Sequence, residues 1–378
     1  MQIVKYILAA LMVLFAQLQV LPPFADPGPK VLGTPTESYY AEKQRLSCSV
    51  WDMELHDGVL YIGAGDYSAN TGPTPIWAYD TANENWSLAV TVEDEAVSRF
   101  CTIGETLAVP GIDATGNSWK YGNYHTLTDG QWTTFEKLPG AVHDFDVTAY
   151  IDTWFFALGT ADGETSPVLS STDGQTDFRS VPFYRDGEDL LDGRFSFTRV
   201  YDFFAVNESL YCFFCGYADD VTATRLFCRY ENGAFYAINE AELDFDTWKQ
   251  MPVMGKSAAG SVQYFTTGTL YRTEDFLHIT PVALPDGGTV TDLYTYSSGQ
   301  RQLLYALSNV KNSDGTYTAT VYLLEETAAA VAAYTSSAPA LSFVRCGMYF
   351  YLGLGGSEKF PETGSVIRLS VFDRSLNS

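Results

Sequence analysis

The sequence predicts an all-β protein folded as a seven-bladed β-propeller, with four antiparallel strands per blade and an N-terminal strand that closes the ring. Three observations support this prediction. An apolar strand ending in Gly recurs about every 50 residues, two further short strands follow each copy, and helical periodicity is nearly absent beyond the N-terminus. Repeats of this length with four short strands are typical of propeller blades, each of which buries one face on the next.

One marker position near the start of each inner strand identifies the copies. The markers are Asp52, Arg99, Asp146, Asp202, Asp246, Asp292 and Arg345, and the unit around Asp246 is the least regular. The last unit supplies only three strands. We therefore expect residues 30–33 or residues 39–41 to add the fourth strand and to remove the exposed sheet edges.

Composition excludes two classes of protein. The 378 residues are 46% hydrophobic and 15% aromatic, which is enough to bury a large core and excludes wholesale disorder. With 22 Lys and Arg against 46 Asp and Glu, the chain has a net charge of −24 and contains no basic run. Nucleic acid is therefore not an expected partner, because its binding depends on Lys and Arg neutralising phosphates.

The first 25 residues have the layout of a signal peptide. Lys5 precedes an apolar run over residues 6–16, and cleavage is expected near Ala25. The run is too short for a membrane span, which needs about 20 residues. We expect residues 26–378 to be a single propeller domain, monomeric, secreted or extracytoplasmic, and without a membrane span. The alternative is an uncleaved N-terminal membrane anchor.

The six cysteines are even in number, which an oxidising compartment permits. Cys212 and Cys215 lie three apart on a predicted strand, so their thiols should point to opposite faces. A hairpin folded symmetrically about residues 221 and 222 would place Cys215 opposite Cys228 and allow a disulfide between them. Free buried cysteines are the alternative.

Several predicted turns resemble those of known propellers. The segments are Tyr79 to Trp86, Thr128 to Trp132, Ser171 to Phe178, and Glu231 to Phe235. They resemble kelch and Asp-box repeats of the sialidase-like propeller superfamily, although Gln175 and Phe178 depart from the Asp-box pattern. The chain is also similar to secreted bacterial propeller proteins. The resemblance implies turns with a structural role, and it does not imply sialidase activity because that family's Arg motif and Tyr-Glu pair are not recognisable.

Ligands of propellers bind where loops from every blade converge at one mouth of the central channel. In a four-strand meander, the start of the first strand and the end of the second lie at the same end. The candidate ligand-binding residues there are Asp52, Asp66, Tyr67, Arg99, Trp119, Tyr121, His143, Asp144 and Arg199. Aromatic rings beside carboxylates suit a sugar, so a carbohydrate or an extracellular protein is the expected partner of a non-catalytic binding protein.

Two alternatives stay open at this mouth. The repeated Asp52, Asp146 and Asp202 could be structural and accept backbone N–H groups from a neighbouring blade. Alternatively, Asp146 or Asp202 could act with His143 in a glycoside hydrolase or polysaccharide lyase, since glycoside hydrolysis needs two carboxylates about 5–10 Å apart.

No cofactor and no metal site are expected. The Asp-containing turns at residues 217–220 and 312–315 could hold Ca²⁺, but neither has a spaced series of ligands. A solvated turn is the favoured interpretation of both. The four histidines do not have the spacing of a zinc site.

Overall fold

The computed structural model describes residues 28–40, 45–115, 121–219, 221–243, 255–259, 261–298, 301–325 and 327–371. The predicted signal peptide, Trp119 and Asp246 lie outside these ranges. Within them, no helix is long and apolar enough to cross a membrane.

The described chain is almost entirely β-structure, as predicted. Its first half contains β1 (Lys30–Gly33), β2 (Asp52–His56), β3 (Val59–Gly63), β4 (Thr74–Asp80), β5 (Asn85–Val92), β6 (Asp94–Ala96), β7 (Cys101–Ile103), β8 (Thr106–Pro110), β9 (Ile112–Ala114), β10 (Tyr121–Thr128), β11 (Gln131–Pro139), β12 (Ala141–Tyr150), β13 (Thr153–Thr160), β14 (Val168–Ser171), β15 (Arg179–Ser180), β16 (Phe183–Arg185) and β17 (Glu188–Asp189).

The second half continues in the same way. It contains β18 (Phe197–Val206), β19 (Ser209–Ala218), β20 (Val221–Glu231), β21 (Ala234–Ala237), β22 (Gly255–Ala259), β23 (Val262–Thr266), β24 (Leu270–Thr273), β25 (Ile279–Val282), β26 (Thr289–Ser298), β27 (Arg301–Lys311), β28 (Tyr317–Leu324), β29 (Ala328–Ser336), β30 (Ala340–Cys346), β31 (Tyr349–Leu354) and β32 (Val366–Ser370). The short helix α1 (Glu37–Tyr40) and three 3-10 turns at Arg45–Cys48, Tyr67–Ala69 and Glu240–Glu242 complete the described elements.

The sheets are arranged as a β-propeller. Five four-stranded sheets are separate, namely β2 to β5, β7-β8-β10-β11, β22 to β25, β26 to β29, and β30-β31-β32 with β1. The innermost strands of successive sheets contact one another, β2 with β30, β30 with β26, β26 with β22, β22 with β18, and β18 with β12. The apolar clusters lie between the sheets, as the blade-on-blade burial of a propeller requires.

The predicted count of seven separate blades is wrong, because the described residues form five separate four-stranded blades and one twelve-stranded sheet. The twelve-stranded sheet holds two meanders, β12 to β15 and β18 to β21. These meanders join where Gly159 pairs with Arg199. Strands β12 and β18 are each 10 residues long, so they reach far enough at the channel mouth to pair with neighbouring strands.

The ring closes through the N-terminal strand, as predicted. Strand β1 pairs antiparallel with β32, with Lys30 opposite Arg368 and Val31 opposite Ile367. The other candidate, residues 39–41, does not close the ring, because Tyr39 and Tyr40 lie in α1.

Two marker assignments need correction. The inner strand of the unit near Asp246 is β22, which begins only at Gly255. In the last blade, Phe343 N–H donates to the carboxylate of the preceding blade, as Phe100 and Phe203 do in theirs. The equivalent of Arg99 is therefore Ser342, and Arg345 lies three residues further along the strand.

The predicted pairing of Cys215 with Cys228 is also wrong. Cys215 lies opposite Arg225, and Cys228 lies opposite Cys212. The cause is the position of the hairpin turn, because Ala218 pairs with Val221 and the turn therefore comes earlier than a symmetric fold about residues 221 and 222. Cys212 and Cys215 do belong to different apolar clusters, as expected for opposite faces of a strand.

Candidate functional site

The central channel is a cavity of about 1230 Å³ lined by inner strands from around the propeller. Of the candidate residues, Asp52, Asp66, Tyr67, Arg99, Asp146, His143 and Arg199 line it. Asp144, Asp202 and Tyr121 do not line it, and Tyr121 instead donates its hydroxyl to Glu136 at 2.9 Å.

A set of charged residues at the channel, which we call the channel ring, consists of Asp52, Arg99, Asp146 and Asp292, which line the cavity, and Asp202, which does not line it but binds Arg99. Arg99 lies on the segment before β7 and reaches across to two other inner strands. Its guanidinium donates to Asp202 and lies 3.5 Å from Asp146 Oδ1. The two carboxylates are buried, at 0% and 1% side-chain exposure. Desolvation lowers the pKa of Arg99, but the neighbouring carboxylates outweigh it and leave the pKa raised.

Three carboxylates of the channel ring also join successive inner strands. Asp52 Oδ2 accepts the N–H of Phe100, and Asp292 Oδ2 accepts that of Phe343. Asp146 Oδ2 accepts the N–H of Phe203 at 2.9 Å. These are the contacts that a structural role for the repeated Asp requires.

A β-bulge places these residues. The register shifts before the marker position in three of the inner strands, between Asp144 and Asp146, between Val290 and Asp292, and between Ala340 and Ser342. A bulge bends a strand and redirects its side chains. Asp146 therefore lines the channel while Asp144 does not.

The channel mouth carries a second group of side chains, which we call the mouth cluster: Asp66, Tyr67, Asp113, His143, Arg199 and Tyr201. His143 Nδ1 lies 2.8 Å from Asp113 Oδ1, although the contact is not aligned as a hydrogen bond. Arg199 donates to His143 Nε2 at 3.3 Å and to Tyr201 Oη at 3.1 Å. Because a guanidinium can only donate, His143 Nε2 is the acceptor in this contact, and the ring proton is then on Nδ1, which faces Asp113.

Close backbone approach and ring stacking fix the two basic side chains. His143 packs on Gly159, where an added Cβ would lie 2.6 Å from the imidazole Cδ2. The imidazole also stacks on Phe145, with ring centroids 5.1 Å apart. The Arg199 guanidinium lies over the rings of Phe197 and Tyr217, at 5.1 and 5.4 Å. Such contacts hold a cation without neutralising it.

A carboxyl group beside the acidic residues of the mouth has a raised pKa. Glu95 lies on β6, and burial, followed by the charges of Asp113, Asp94 and Asp66, raises its pKa to about 7. Asp66 Oδ1 caps the turn at Tyr67–Ala69 by accepting Ser68 N–H at 3.0 Å. Tyr67 is 57% exposed, and its ring is therefore available to a ligand.

Several polar atoms of the mouth cluster are buried without a hydrogen bond among the described residues. They are Asp66 Oδ2, Asp113 Oδ1, His143 Nδ1 and Arg199 Nε. Buried polar atoms are normally satisfied, and each exception needs an explanation such as a catalytic role or a bound water or ion. The channel ring differs, because its side chains are already engaged with each other and with the backbone.

Sequence reasoning missed Glu54 and Glu95. Glu54 lines the channel two residues after Asp52 and therefore points to the same side of β2. Burial and the charge of Asp52 raise the pKa of Glu54 to about 8. Strand alternation starting from Asp52 would have found Glu54. Glu95 lies between two repeats, where the repeat alignment gives no signal.

The turn after β14 is closed by hydrogen bonds to one aspartate. Asp173 Oδ1 accepts the N–H groups of Gln175 and Thr176, at 2.8 and 2.7 Å. Asp275 accepts those of Leu277 and His278 in the same way, in a segment that the sequence comparison did not include. Both turns pin the chain between outer strands and lie away from the channel.

The turn at residues 312–315 is closed by its own hydrogen bonds. Asp314 Oδ1 accepts from the N–H and the hydroxyl of Thr316. Across the part of the chain that the structure describes, no group of three or more His, Cys, Asp or Glu side chains is placed to hold a metal ion.

Comparisons with known proteins add no functional assignment. No known family matches the sequence, and no curated protein matches it. The fold is similar to the designed Ika8 protein, at 10% identity and a TM-score of 0.45 over 86% of this chain and 99% of that one. It is also similar to BamB from Moraxella catarrhalis, at 12% identity and a TM-score of 0.39 over 84% and 83%. The β-propeller domain of the Trilobed protease from Pyrococcus furiosus matches at 11% identity and a TM-score of 0.38, over 74% and 82%. No activity or partner is transferred from similarity at this level.

Proposed function

We propose that this propeller binds a carbohydrate at the mouth cluster and carries out no chemistry on it. The observation that supports this most directly is a set of buried polar groups that line the cavity. Asp66 Oδ2 and Arg199 Nε have no hydrogen bond among the described residues. Asp113 and His143 lie 2.8 Å apart, without an aligned hydrogen bond between them. Sugar hydroxyls both donate and accept, so one sugar could pair with the carboxylates and with Arg199. A few convergent polar groups in a preformed cavity are typical of small-ligand sites.

The exposed ring of Tyr67 supports the same ligand class. It is 57% exposed beside Asp66, on a turn fixed by hydrogen bonds. An aromatic face held rigidly beside carboxylates suits the flat C–H face of a sugar ring. The fixed turn also lowers the entropy lost on binding.

The catalytic alternative has less support. It would use Asp146 or Asp202 with His143, but both carboxylates are held by Arg99. Asp146 also accepts the N–H of Phe203. A carboxylate paired with Arg stays ionised and is a poor general acid. An extracellular protein is the alternative partner. We also propose that the protein is a monomer. An extracytoplasmic location is proposed from the signal-peptide-like N-terminal segment.

A panel of neutral and acidic oligosaccharides screened by thermal shift tests the proposal, because a ligand that binds only the folded state raises Tm. Hits are then measured by calorimetry on Tyr67→Ala and Arg199→Gln. We expect both variants to lose binding at least about tenfold, the cost of about 1.4 kcal/mol.

Tyr236→Ala is the matched control, because Tyr236 is 40% exposed but lies on the outer strand β21. It should bind as the wild type does. A panel without hits, or binding that survives both mouth variants, would overturn the proposal. Turnover of a bound sugar that is lost in Asp146→Asn, with an unchanged fold, would favour the hydrolase or lyase.

A further inference from the structure

Two cysteines lie directly across from each other in the twelve-stranded sheet. Cys212 on β19 pairs in register with Cys228 on β20. Directly opposed residues of antiparallel strands have Cα atoms about 4.5–5.5 Å apart. A disulfide needs a Cα separation of about 4.4–6.8 Å. The backbone therefore already has the spacing that a bridge requires.

The two side chains also share one environment. Both are free thiols in the structure, and both are fully buried in one apolar cluster with Phe155, Phe203 and Phe214. The remaining cysteines face other groups. Cys215 is opposite Arg225, and Cys101 lies near Asp146. Cys346 lies near Thr81, and Cys48 packs with Tyr40 and Ala64. The register therefore selects one pair among the six cysteines.

We propose that Cys212 and Cys228 form a cross-strand disulfide when the protein folds in an oxidising compartment. The oxidant is a disulfide, either a small one such as oxidised glutathione or a protein dithiol oxidase. One cysteine thiolate attacks the oxidant's disulfide, which gives a mixed disulfide and releases one oxidant thiolate. The second cysteine thiolate then attacks the protein sulfur of that mixed disulfide and releases the other oxidant thiolate. The S–S bond joins the two cysteines, the oxidant takes up the two electrons, and the two protons lost by the cysteine thiols end on the two released thiolates as thiols.

Burial sets the time at which this exchange occurs. Burial raises the pKa of the Cys212 thiol well above its ordinary value, and the reactive species is the thiolate. Exchange is therefore slow once β19 and β20 are packed against their neighbours. The bridge forms while the hairpin is still open to solvent, and afterwards it is protected from reductants. It joins β20 to β19, which pairs with β18, the strand that carries Arg199.

The test uses the full-length chain produced in the bacterial periplasm. Free thiols are alkylated in denaturant without reductant, the chain is digested, and the peptides are identified by mass spectrometry. We expect one cross-linked peptide pair containing Cys212 and Cys228, and alkylation of the other four cysteines. Alkylation of Cys212 and Cys228, or a bridge between any other pair, overturns the proposal.

A stability measurement with matched variants gives an independent result. Reduction in mild denaturant should lower the Tm of the wild type by about 5 °C, because a closed loop of this length stabilises the fold through the unfolded chain. Reduction should lower the Tm of Cys215→Ala by the same amount, and it should not change the Tm of Cys228→Ala. An equal loss in Cys228→Ala contradicts the proposal. If Cys228→Ala does not fold, peptide mapping of the wild type decides. The result is independent of the sugar-binding proposal.

Discussion

The channel ring and the mouth cluster contain the same kinds of residue but differ in how those residues are satisfied. Each contains one Arg and at least two Asp residues. Arg99 in the ring is bound to Asp202 and lies 3.5 Å from Asp146. Among the residues that the structure describes, Arg199 at the mouth contacts Tyr201, His143 and aromatic rings, and no carboxylate forms an ion pair with it. An ion pair whose members are fully engaged supports the fold, whereas a cation held without a counter-charge is available to a ligand. Composition and repeat position alone do not separate these two roles.

The largest expected effect comes from breaking the ring. Arg99→Met keeps most of the side-chain volume but leaves Asp146 and Asp202 buried without their cation. An uncompensated buried charge costs about 3–5 kcal/mol, so we expect a large fall in Tm or failure to fold. Arg301→Met is the control, because Arg301 is 79% exposed and 3.9 Å from Glu325. The measurement is the free energy of unfolding of both variants, obtained by denaturant unfolding. Equal stabilities would show that the ring does not support the fold.

A pair of Asp→Asn variants sharpens the comparison. Asp146→Asn weakens the contact with Arg99 and the hydrogen bond from Phe203 N–H, and should cost about 1.5–3 kcal/mol. Asp113→Asn changes a mouth residue, and Asn tolerates its positive φ of 55°. We expect Asp113→Asn to lower the free energy of unfolding by less than about 0.5 kcal/mol. If Asp113→Asn is the more destabilising of the two, the assignment of roles is reversed.

Stability should fall as pH rises, because the channel holds acids whose pKa is raised. Burial and Asp52 raise the pKa of Glu54 to about 8, against about 4.3 for an unfolded Glu. The folded chain therefore keeps this proton where the unfolded chain loses it. The contribution is complete below about pH 4.3 and is lost as pH rises through about 8.

Glu54→Gln tests that slope. Between pH 5 and pH 9, the free energy of unfolding of the wild type should fall by on the order of 1–2 kcal/mol more than that of Glu54→Gln. This is less than the full pKa difference would give, because Glu54 is partly exposed. Thermal unfolding across this range is the measurement. Glu358→Gln, at an exposed position, should keep the wild-type slope. A Glu54→Gln slope equal to that of the wild type would show that Glu54 does not carry the effect.

The smallest expected effect on stability is at the mouth. Arg199→Met removes a cation held by two rings, a contact worth about 1 kcal/mol. We expect a stability loss of that size at most, together with loss of sugar binding. Arg199→Lys should restore part of the binding. A fall in stability as large as that of Arg99→Met would place Arg199 with the structural residues.

Much of the architecture could be predicted from sequence because a propeller repeats. The recurring strand that ends in Gly, the polar turns and the incomplete last unit predicted four-stranded meanders and closure by an N-terminal strand, which β1 provides. These features are local or periodic, so each copy supports the others. The blade count was wrong because strand length decides whether neighbouring sheets join, and Gly159 and Arg199 pair across that boundary.

The roles of individual residues depended on tertiary structure. The sequence by itself determined that Asp52 and Asp146 recur at one repeat position and that His143 does not. It could not show that Arg99 crosses the channel to strands more than 40 residues away along the chain, or that Cys228 faces Cys212 instead of Cys215. A one-residue change in turn position alters every cross-strand partner. Which charges are satisfied, and which are left for a ligand, is decided only when the blades close around the channel.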